Sequence, residues 1–427
     1  MPTLTEQLAL QGGAPAMTIT PAERWQPPVE REIELVSRLI RERYLSAAGR
    51  GFAREFEDEF GAWLGVKHCA SQNTGTSTLQ AAYFAVGVGP GDEVLHPCYT
   101  WICSIAPAVH LGARPVFCEI DPDTLVIDPA DMERRITPRT RCISVVHLFG
   151  NPVDMDAIMD VARRHRLPVV EDCSHAHGAT YDGRKVGTIG DVGCFSMQGT
   201  NPDGKAVSGG EGGMIVTNED HLWERIMAYG HLNRKGLVDE YVSPEYRALG
   251  ETGLGLKFRA HPLALAVAKV SFETLEWRNQ RIAENRQRLA AALERVPAIR
   301  LVKSYSRARM AGFYGGLKGI YQPERLGGLP VERFLAAVRA EGAPMNGRAY
   351  DLHHLLPLFA RGFDLYGGGR GPLTGDYRGY RPGDLPVSEA VHPNIVSFPA
   401  LIDPAPGYLE QYGAALEKVA AHYRELL

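Results

Sequence analysis

Lys205 is the residue with the most chemistry open to it, because of what flanks it. Gly193-Cys194-Phe195-Ser196 leads towards it, Gly210-Glu211-Gly212-Gly213 leaves the region, and Met214-Ile215-Val216-Thr217 reads as the next strand. The lysine therefore sits on a loop between two buried strands, where glycines let the backbone approach a bound group. Held against a largely apolar site, an ammonium loses solvation. Its pKa falls, and the neutral amine can form a Schiff base with a carbonyl. Taken alone, the stretch also fits a solvated loop lysine.

Three more stretches carry compatible groups. Asn73-Thr74-Gly75-Thr76-Ser77-Thr78 lies between a short strand and a helix. Backbone amides at a helix start, with small hydroxyl residues beside them, suit a phosphate. Each such dipole contact contributes about 0.3–1 kcal/mol, so several must converge; a plain N-cap is the other reading. Leu167-Pro168-Val169-Val170-Glu171-Asp172 is a strand ending in two carboxylates, with His175 and His177 on its exit loop. A carboxylate there could face a protonated ring nitrogen and hold it charged, shifting a pKa by about 1–3 units, or it could cap a turn. Trp101, after Pro97-Cys98-Tyr99-Thr100, offers a flat ring for a planar cofactor, or for the core. With the hydroxyl of Ser196, these give a phosphate loop, a stacking aromatic, an acid for a ring nitrogen and a lysine. That set is what pyridoxal phosphate requires.

The elements that must hold these groups alternate. Short apolar strands are expected at Val94-Leu95, Pro115–Phe117, Cys142–Val146 and Pro168–Val170. Helices are expected at Phe52–Trp63 and near Thr78–Val86, Ile102–Leu111 and Met155–Arg166. This pattern implies parallel strands with crossover helices, an α/β three-layer sandwich, and a ligand crevice beyond the carboxyl ends of the strands. A long helix follows His261-Pro262 and continues past Trp277 towards Leu293. Residues 1–28, rich in Gly, Pro and Ala, read as an N-terminal arm rather than a packed element. Residues 29–295 read as a large cofactor-binding domain and 296–427 as a smaller C-terminal α+β domain with helices at Val331–Glu341 and Tyr408–Leu426. The Gly-, Pro- and Tyr-dense stretch Leu365–Pro386 reads as a long loop.

Composition narrows the partners. The 427 residues are 44% hydrophobic and 22% charged, with a formal net charge of −4. This provides no basic field for nucleic acid and no polybasic face for anionic lipid. No apolar run reaches membrane-spanning length, and the first residues lack the pattern of a secretory signal, so a cytoplasmic location is expected. Cys69, Cys98, Cys103, Cys118, Cys142, Cys173 and Cys194 are odd in number, fall mostly in strand-like segments and form no C-x-x-C pair. Buried free thiols are expected, with no metal site.

The motifs Asn73-Thr74-Gly75-Thr76-Ser77, Gly87-Val88-Gly89-Pro90-Gly91-Asp92-Glu93-Val94, Glu171-Asp172-Cys173-Ser174-His175-Ala176-His177-Gly178-Ala179, Cys194-Phe195-Ser196-Met197-Gln198 and Gly210-Glu211-Gly212-Gly213 occur in this order over about residues 30 to 290. In them the sequence resembles the DegT/DnrJ/StrS-type sugar aminotransferases, which have the aspartate-aminotransferase (type I) fold. Cys173-Ser174-His175, Ser196-Met197-Gln198 and Leu256-Lys257-Phe258-Arg259-Ala260-His261-Pro262 resemble the cyclitol branch, the glutamine:scyllo-inosose aminotransferases.

The resemblance implies roles. Lys205 would carry pyridoxal 5′-phosphate as a Schiff base and move a proton between the substrate Cα and the cofactor C4′. Asp172 would pair with the pyridinium nitrogen, His175 would bond near the ring hydroxyl, and Trp101 would stack on the ring. Gly75, Thr76 and Ser196 would hold the phosphate. Lys257, in Gly255-Leu256-Lys257-Phe258-Arg259, stands where the family has an Asn that reaches the phosphate from the neighbouring subunit, so a homodimer with shared sites is implied. The implied reaction passes an amino group from glutamine or glutamate, by way of pyridoxamine phosphate, to a ketone or aldehyde of a sugar, cyclitol or related intermediate in specialised, antibiotic-type biosynthesis.

One departure bears on all of this. The family places its lysine five residues after the Ser of Phe-Ser, where this chain has Asn201, yet Lys205 keeps the five-residue distance to Gly210. The four extra residues include Asn201-Pro202-Asp203-Gly204, a turn signature that can bulge outward and leave its flanks in register. If Asn201 held the lysine position instead, the chemistry would not be transamination: a dehydratase is the second reading, and a cofactor-binding regulator without turnover, supported only by the insertion, is the third.

Overall fold

The computed structural model describes residues 7–20, 22–49, 51–232, 234 and 241–427. Its centre is a seven-stranded sheet made of β1 (His68–Gln72), β2 (Glu93–Pro97), β3 (Arg114–Cys118), β4 (Thr140–Val146), β5 (Val169–Asp172), β6 (Val192–Ser196) and β7 (Gly213–Thr217). The strand order is β1-β7-β6-β5-β4-β2-β3, and only β7 runs against the rest. β2, β5, β6 and β7 are buried along their whole length. Strands covered on both faces read as continuous apolar runs rather than alternating ones, which is why they were visible in the sequence.

The helix Gly75–Ala85 illustrates how the site is positioned. Thr74 is extended (φ −154°, ψ 160°), its hydroxyl accepts from the Ser77 amide at 2.9 Å, and the Ser77 hydroxyl accepts from the Thr74 amide at 3.2 Å. This reciprocal cap stops the strand-exit loop and starts the helix. Leu79, Ala81, Ala82, Tyr83 and Ala85 are all buried, so the helix is held by its neighbours on most sides.

The expected long helix after Pro262 is two helices, Pro262–Glu273 and Leu275–Leu293, broken at Thr274 (φ −106°, ψ 1°). The Thr274 hydroxyl donates to the Ser271 carbonyl and accepts from Arg278 Nε at 3.0 Å. A hydroxyl that bonds locally to backbone competes with the helical ladder.

Beyond this helix pair, β8 (Ile299–Leu301), β9 (Leu317–Tyr321) and β10 (Ile395–Phe398) form an antiparallel sheet in the order β8-β9-β10. The helices Val331–Ala340 and Tyr408–Ala421 belong to the same half, the latter ending earlier than Leu426 in a separate 3₁₀ turn, Tyr423–Leu426. The N-terminal stretch is not an unpacked arm. Leu8, Ala16 and Met17 are buried, and the amides of Ala9 and Ala16 donate to the Glu341 carboxylate. That carboxylate also accepts from Lys418 Nζ at 3.0 Å, and Lys418 donates to the Ala14 carbonyl. Low apolar content concealed this because the attachment is largely polar.

The Tyr-dense stretch 365–386 is fastened to the sheet. Tyr366 donates to the His110 carbonyl at 2.9 Å and Tyr377 to the Phe359 carbonyl at 2.8 Å. Tyr380 accepts from the amide of Phe117 and donates to the carbonyl of Pro115, both on β3. β3 is the edge strand, and this stretch occupies the backbone groups that an edge leaves open.

Candidate active site

The exit loops of β1, β2, β5 and β6 meet at one cleft of about 430 Å³. Gly75, Thr76, Trp101, Asp172, His175, Ser196 and Lys205 all line it, joined by Thr100, Cys103, Ser104, Gln198, Glu211, Tyr314 and Tyr350. Lys257 does not. It is exposed, bridged to His231, and flanked by the exposed apolar side chains of Leu254 and Leu256.

Strand alternation separates the two carboxylates of β5. Glu171 is fully buried on the far side, accepting from the amides of Gly187, Ile189 and Gly190 and contacting His147 Nε2 at 3.0 Å. Burial pushes its pKa up, but His147 and these amides outweigh burial and hold it below the usual carboxylate range. Asp172 faces the cleft. Its Oδ2 accepts from Ser104 Oγ at 2.7 Å and its Oδ1 from the Ser174 amide at 2.9 Å. Ser104 is in turn fixed by Tyr83, whose hydroxyl reaches its carbonyl.

Lys205 is 7% exposed. Burial lowers its pKa to about 7 against the opposing pull of Asp172 and Cys103. A neutral amine is therefore accessible near physiological pH. His175 Nδ1 accepts from the Phe149 amide at 3.3 Å, so the neutral ring carries its proton on Nε2. Desolvation, with Lys205 second, holds His175 well below the ordinary imidazole range. The neighbouring His177 is packed between Phe60 and Phe195 outside the cleft, and burial pushes its pKa down to about 3.

The anion loop has the form a phosphate needs. The amides of Gly75 and Thr76 are first-turn groups without an intrahelical acceptor. A Cβ at Gly75 would lie 2.5 Å from Ser196 Cβ, so only glycine lets the helix start meet the end of β6. Thr100 Oγ1 is buried without a partner among the described residues, leaving one more polar group for a bound molecule. Trp101, 53% exposed, is not a core residue; its indole stands at the cleft, 5.8 Å from the Tyr350 ring.

The inserted turn is turned away from the cleft. Gly199 and Gly210 bond each other through both amides, at 2.8 and 2.9 Å, so the loop closes in register around the insertion. Asn201 Nδ2 donates to Ser271 Oγ at 2.7 Å, on the helix Pro262–Glu273. Lys205, not Asn201, lines the cleft. Arg278 braces the same loop by donating to the Ala206 carbonyl at 2.6 Å.

The sequence leads one to expect a substrate pocket that draws on Tyr99, His96, the stretch His231 to Arg234 and the Asn346–His354 region; among the described residues only the last of these lines the cleft. Tyr99 and His96 are fully buried behind the cleft, with His96 stacked on His353 and Tyr99 against Tyr350. His231 is buried, Arg234 is ion-paired with Glu57 at 2.5 Å, and Asn233 lies outside the described residues. Tyr350 alone of the Asn346–His354 region lines the cleft. Ser104 and Tyr314 carried no sequence signal of their own, although Gly-Phe-Tyr-Gly-Gly at 312–316 marks an unusual backbone.

The family model of the DegT/DnrJ/EryC1/StrS aminotransferases matches residues 28–322. The chain belongs to this family. Its fold and enzyme class are those of the family. It is 41% identical, over 58% of each chain, to the L-glutamine:2-deoxy-scyllo-inosose aminotransferase of Streptoalloteichus tenebrarius. It is 31% identical, over 98% of this chain and 99% of the relative, to the enzyme of the same name from Micromonospora echinospora. The aminotransferase from Psychrobacter cryohalolentis superposes with a TM-score of 0.80 at 28% identity, over 95% of this chain and all of the other. No helix among the described residues is long and apolar enough to cross a membrane.

Proposed function

We propose that this aminotransferase uses pyridoxal 5′-phosphate to move the amino group of L-glutamine onto the ketone of a cyclitol or a closely related polyhydroxylated ring. One observation carries the reading: the lysine, the acid, the anion loop and the aromatic face share one cleft, and Lys205 is the only lysine lining it among the described residues. The names of the relatives, L-glutamine:2-deoxy-scyllo-inosose aminotransferases, support the donor and the acceptor class.

When bound, the cofactor supplies the electron sink. The amides of Gly75 and Thr76 and the hydroxyl of Ser196 would hold its phosphate, and Trp101 would stack on its ring. Asp172, held by Ser104 and Ser174, would pair with the ring nitrogen, and Nε2 of His175 would donate to the ring hydroxyl oxygen. Lys205 Nζ takes the proton from the donor carbon and returns one to the acceptor carbon. The dehydratase reading needed Asn201 in the lysine's place, and its bond to Ser271 speaks against that; the turnover-free reading rests on the insertion alone and predicts cofactor binding without a glutamine half-reaction.

The working unit in this reading is a homodimer. Lys257 would meet the phosphate of the partner's site as a point charge, and exposed Leu254 and Leu256 beside it suit a subunit interface. The seven free cysteines fit a reducing, cytoplasmic setting.

The test is borohydride reduction of the purified protein followed by peptide mass mapping, with L-glutamine added to a parallel sample. A pyridoxyl label on Lys205 that is lost on pre-incubation with glutamine is the expected result. A label on another lysine, or bound cofactor with no label, sinks the proposal.

A further inference from the structure

Tyr314 meets Lys205 face-on. Its ring centroid lies 3.4 Å from Lys205 Nζ and 4.7 Å from the His175 ring, and its hydroxyl reaches Gln198 Oε1 at 3.4 Å. The backbone carrying it is unusual. Gly312 (φ 85°), Phe313 (φ 45°), Gly315 (φ 77°) and Gly316 (φ 82°) all occupy the left-handed region, which is uncommon for a residue such as Phe313. The segment is also pinned. The Gly312 amide donates to Asn279 Oδ1 at 2.9 Å, and Phe313 is buried. Lys318 Nζ donates to the Gly315 carbonyl and lies 4.1 Å over the Phe149 ring, with no carboxylate partner among the described residues. A Cβ at Gly312 would fall 2.5 Å from the His175 carbonyl, and one at Gly316 2.3 Å from that of Phe398. The mount is rigid, and it presents a ring face to the lysine.

We propose that the Tyr314 ring is the docking face for the Lys205 amine whenever that amine is free, holding it in place between the two halves of the reaction and stabilising its ammonium form relative to a cleft without the ring. This rests on the aminotransferase reading above, in which the lysine is free while the amino group resides on the cofactor. An unattached lysine in a dry cleft is poorly solvated in its charged form, and that form is drawn to the carboxylate of Asp172, which the ring nitrogen needs. An aromatic face attracts the ammonium without carrying a charge that would compete for the pyridinium. Among the described residues, the other titratable groups around the amine are Asp172 and Cys103, which favour its charge, Glu211, His175 and Tyr350 in the cleft, and His177 behind it. Tyr314 is thus a positioning residue.

The test follows the pH dependence of Lys205 acylation by acetic anhydride in the cofactor-free full-length protein, read by peptide mass spectrometry. The wild type is expected to titrate near pH 7. In Y314L the ammonium loses its platform and gives up its proton more readily, so the midpoint falls by about 0.5–1.5 pH units. Y314F keeps the ring face and its midpoint stays with the wild type. Y314M is the second non-aromatic variant should Y314L lack the native circular dichroism spectrum. Coincident midpoints in the non-aromatic variants and the wild type overturn the proposal, as does a shift in Y314F equal to that in the non-aromatic variants. Loss of the glutamine half-reaction in the wild type would instead sink the aminotransferase reading and leave this comparison intact.

Discussion

Gly75 bears on the reaction through what it lacks. Any side chain there meets Ser196 at the point where the anion loop closes. Gly75→Ala therefore forces the helix start away from β6. Overpacking of this kind costs about 1–3 kcal/mol, or roughly 5- to 150-fold in cofactor affinity. Titration of cofactor fluorescence checks it; unchanged affinity would mean the phosphate sits elsewhere. This residue and Lys205 were legible in the sequence because each belongs to a local pattern, a strand-turn-helix glycine and a glycine-flanked lysine. Ser104 and Tyr314 were not, because each acts across long sequence separations, on Asp172 and Lys205 respectively. A single sequence records which side chains exist, not which of them the fold brings together.

Among the elements, β5 depends most on one side chain. Glu171 ties the strand's carboxyl end to the loop 187–190 and to His147, and so aims the next residue, Asp172. Glu171→Gln replaces an acceptor oxygen with a donor amide facing backbone N–H groups, and should destabilise the protein by about 3–5 kcal/mol. Urea unfolding measures it; a loss below about 1 kcal/mol would show that the amides find other partners. Because this carboxyl is held below its usual range, its contribution is full above the unfolded-state pKa and declines as pH falls through the lower folded value. The difference between wild type and variant should therefore shrink on acidification and not on raising the pH. The buried strands and the helix Gly75–Ala85 could be read from apolar runs and caps. The break at Thr274 could not, because it goes with the Thr274 hydroxyl's bonds to the Ser271 carbonyl and to Arg278, which helical periodicity does not report.

For the whole molecule, the open question is whether two chains complete each other. If Lys257 serves the partner's cleft, Lys205→Ala and Lys257→Ala are each impaired alone, yet a mixed dimer contains one intact site. Reassembling equal amounts should recover about a quarter of wild-type activity, since half the dimers are mixed and half of their sites complete. No gain on mixing would confine Lys257 to its own subunit.

The seat of the N-terminal segment has a consequence for how the protein is made. Residues 8–17 rest on Glu341 and Lys418, contacts that cannot form until the ribosome has made the chain as far as those two residues. The segment is thus made long before its seat. Leu8 and Met17, both buried in the finished protein, travel exposed throughout translation while the central sheet assembles behind them.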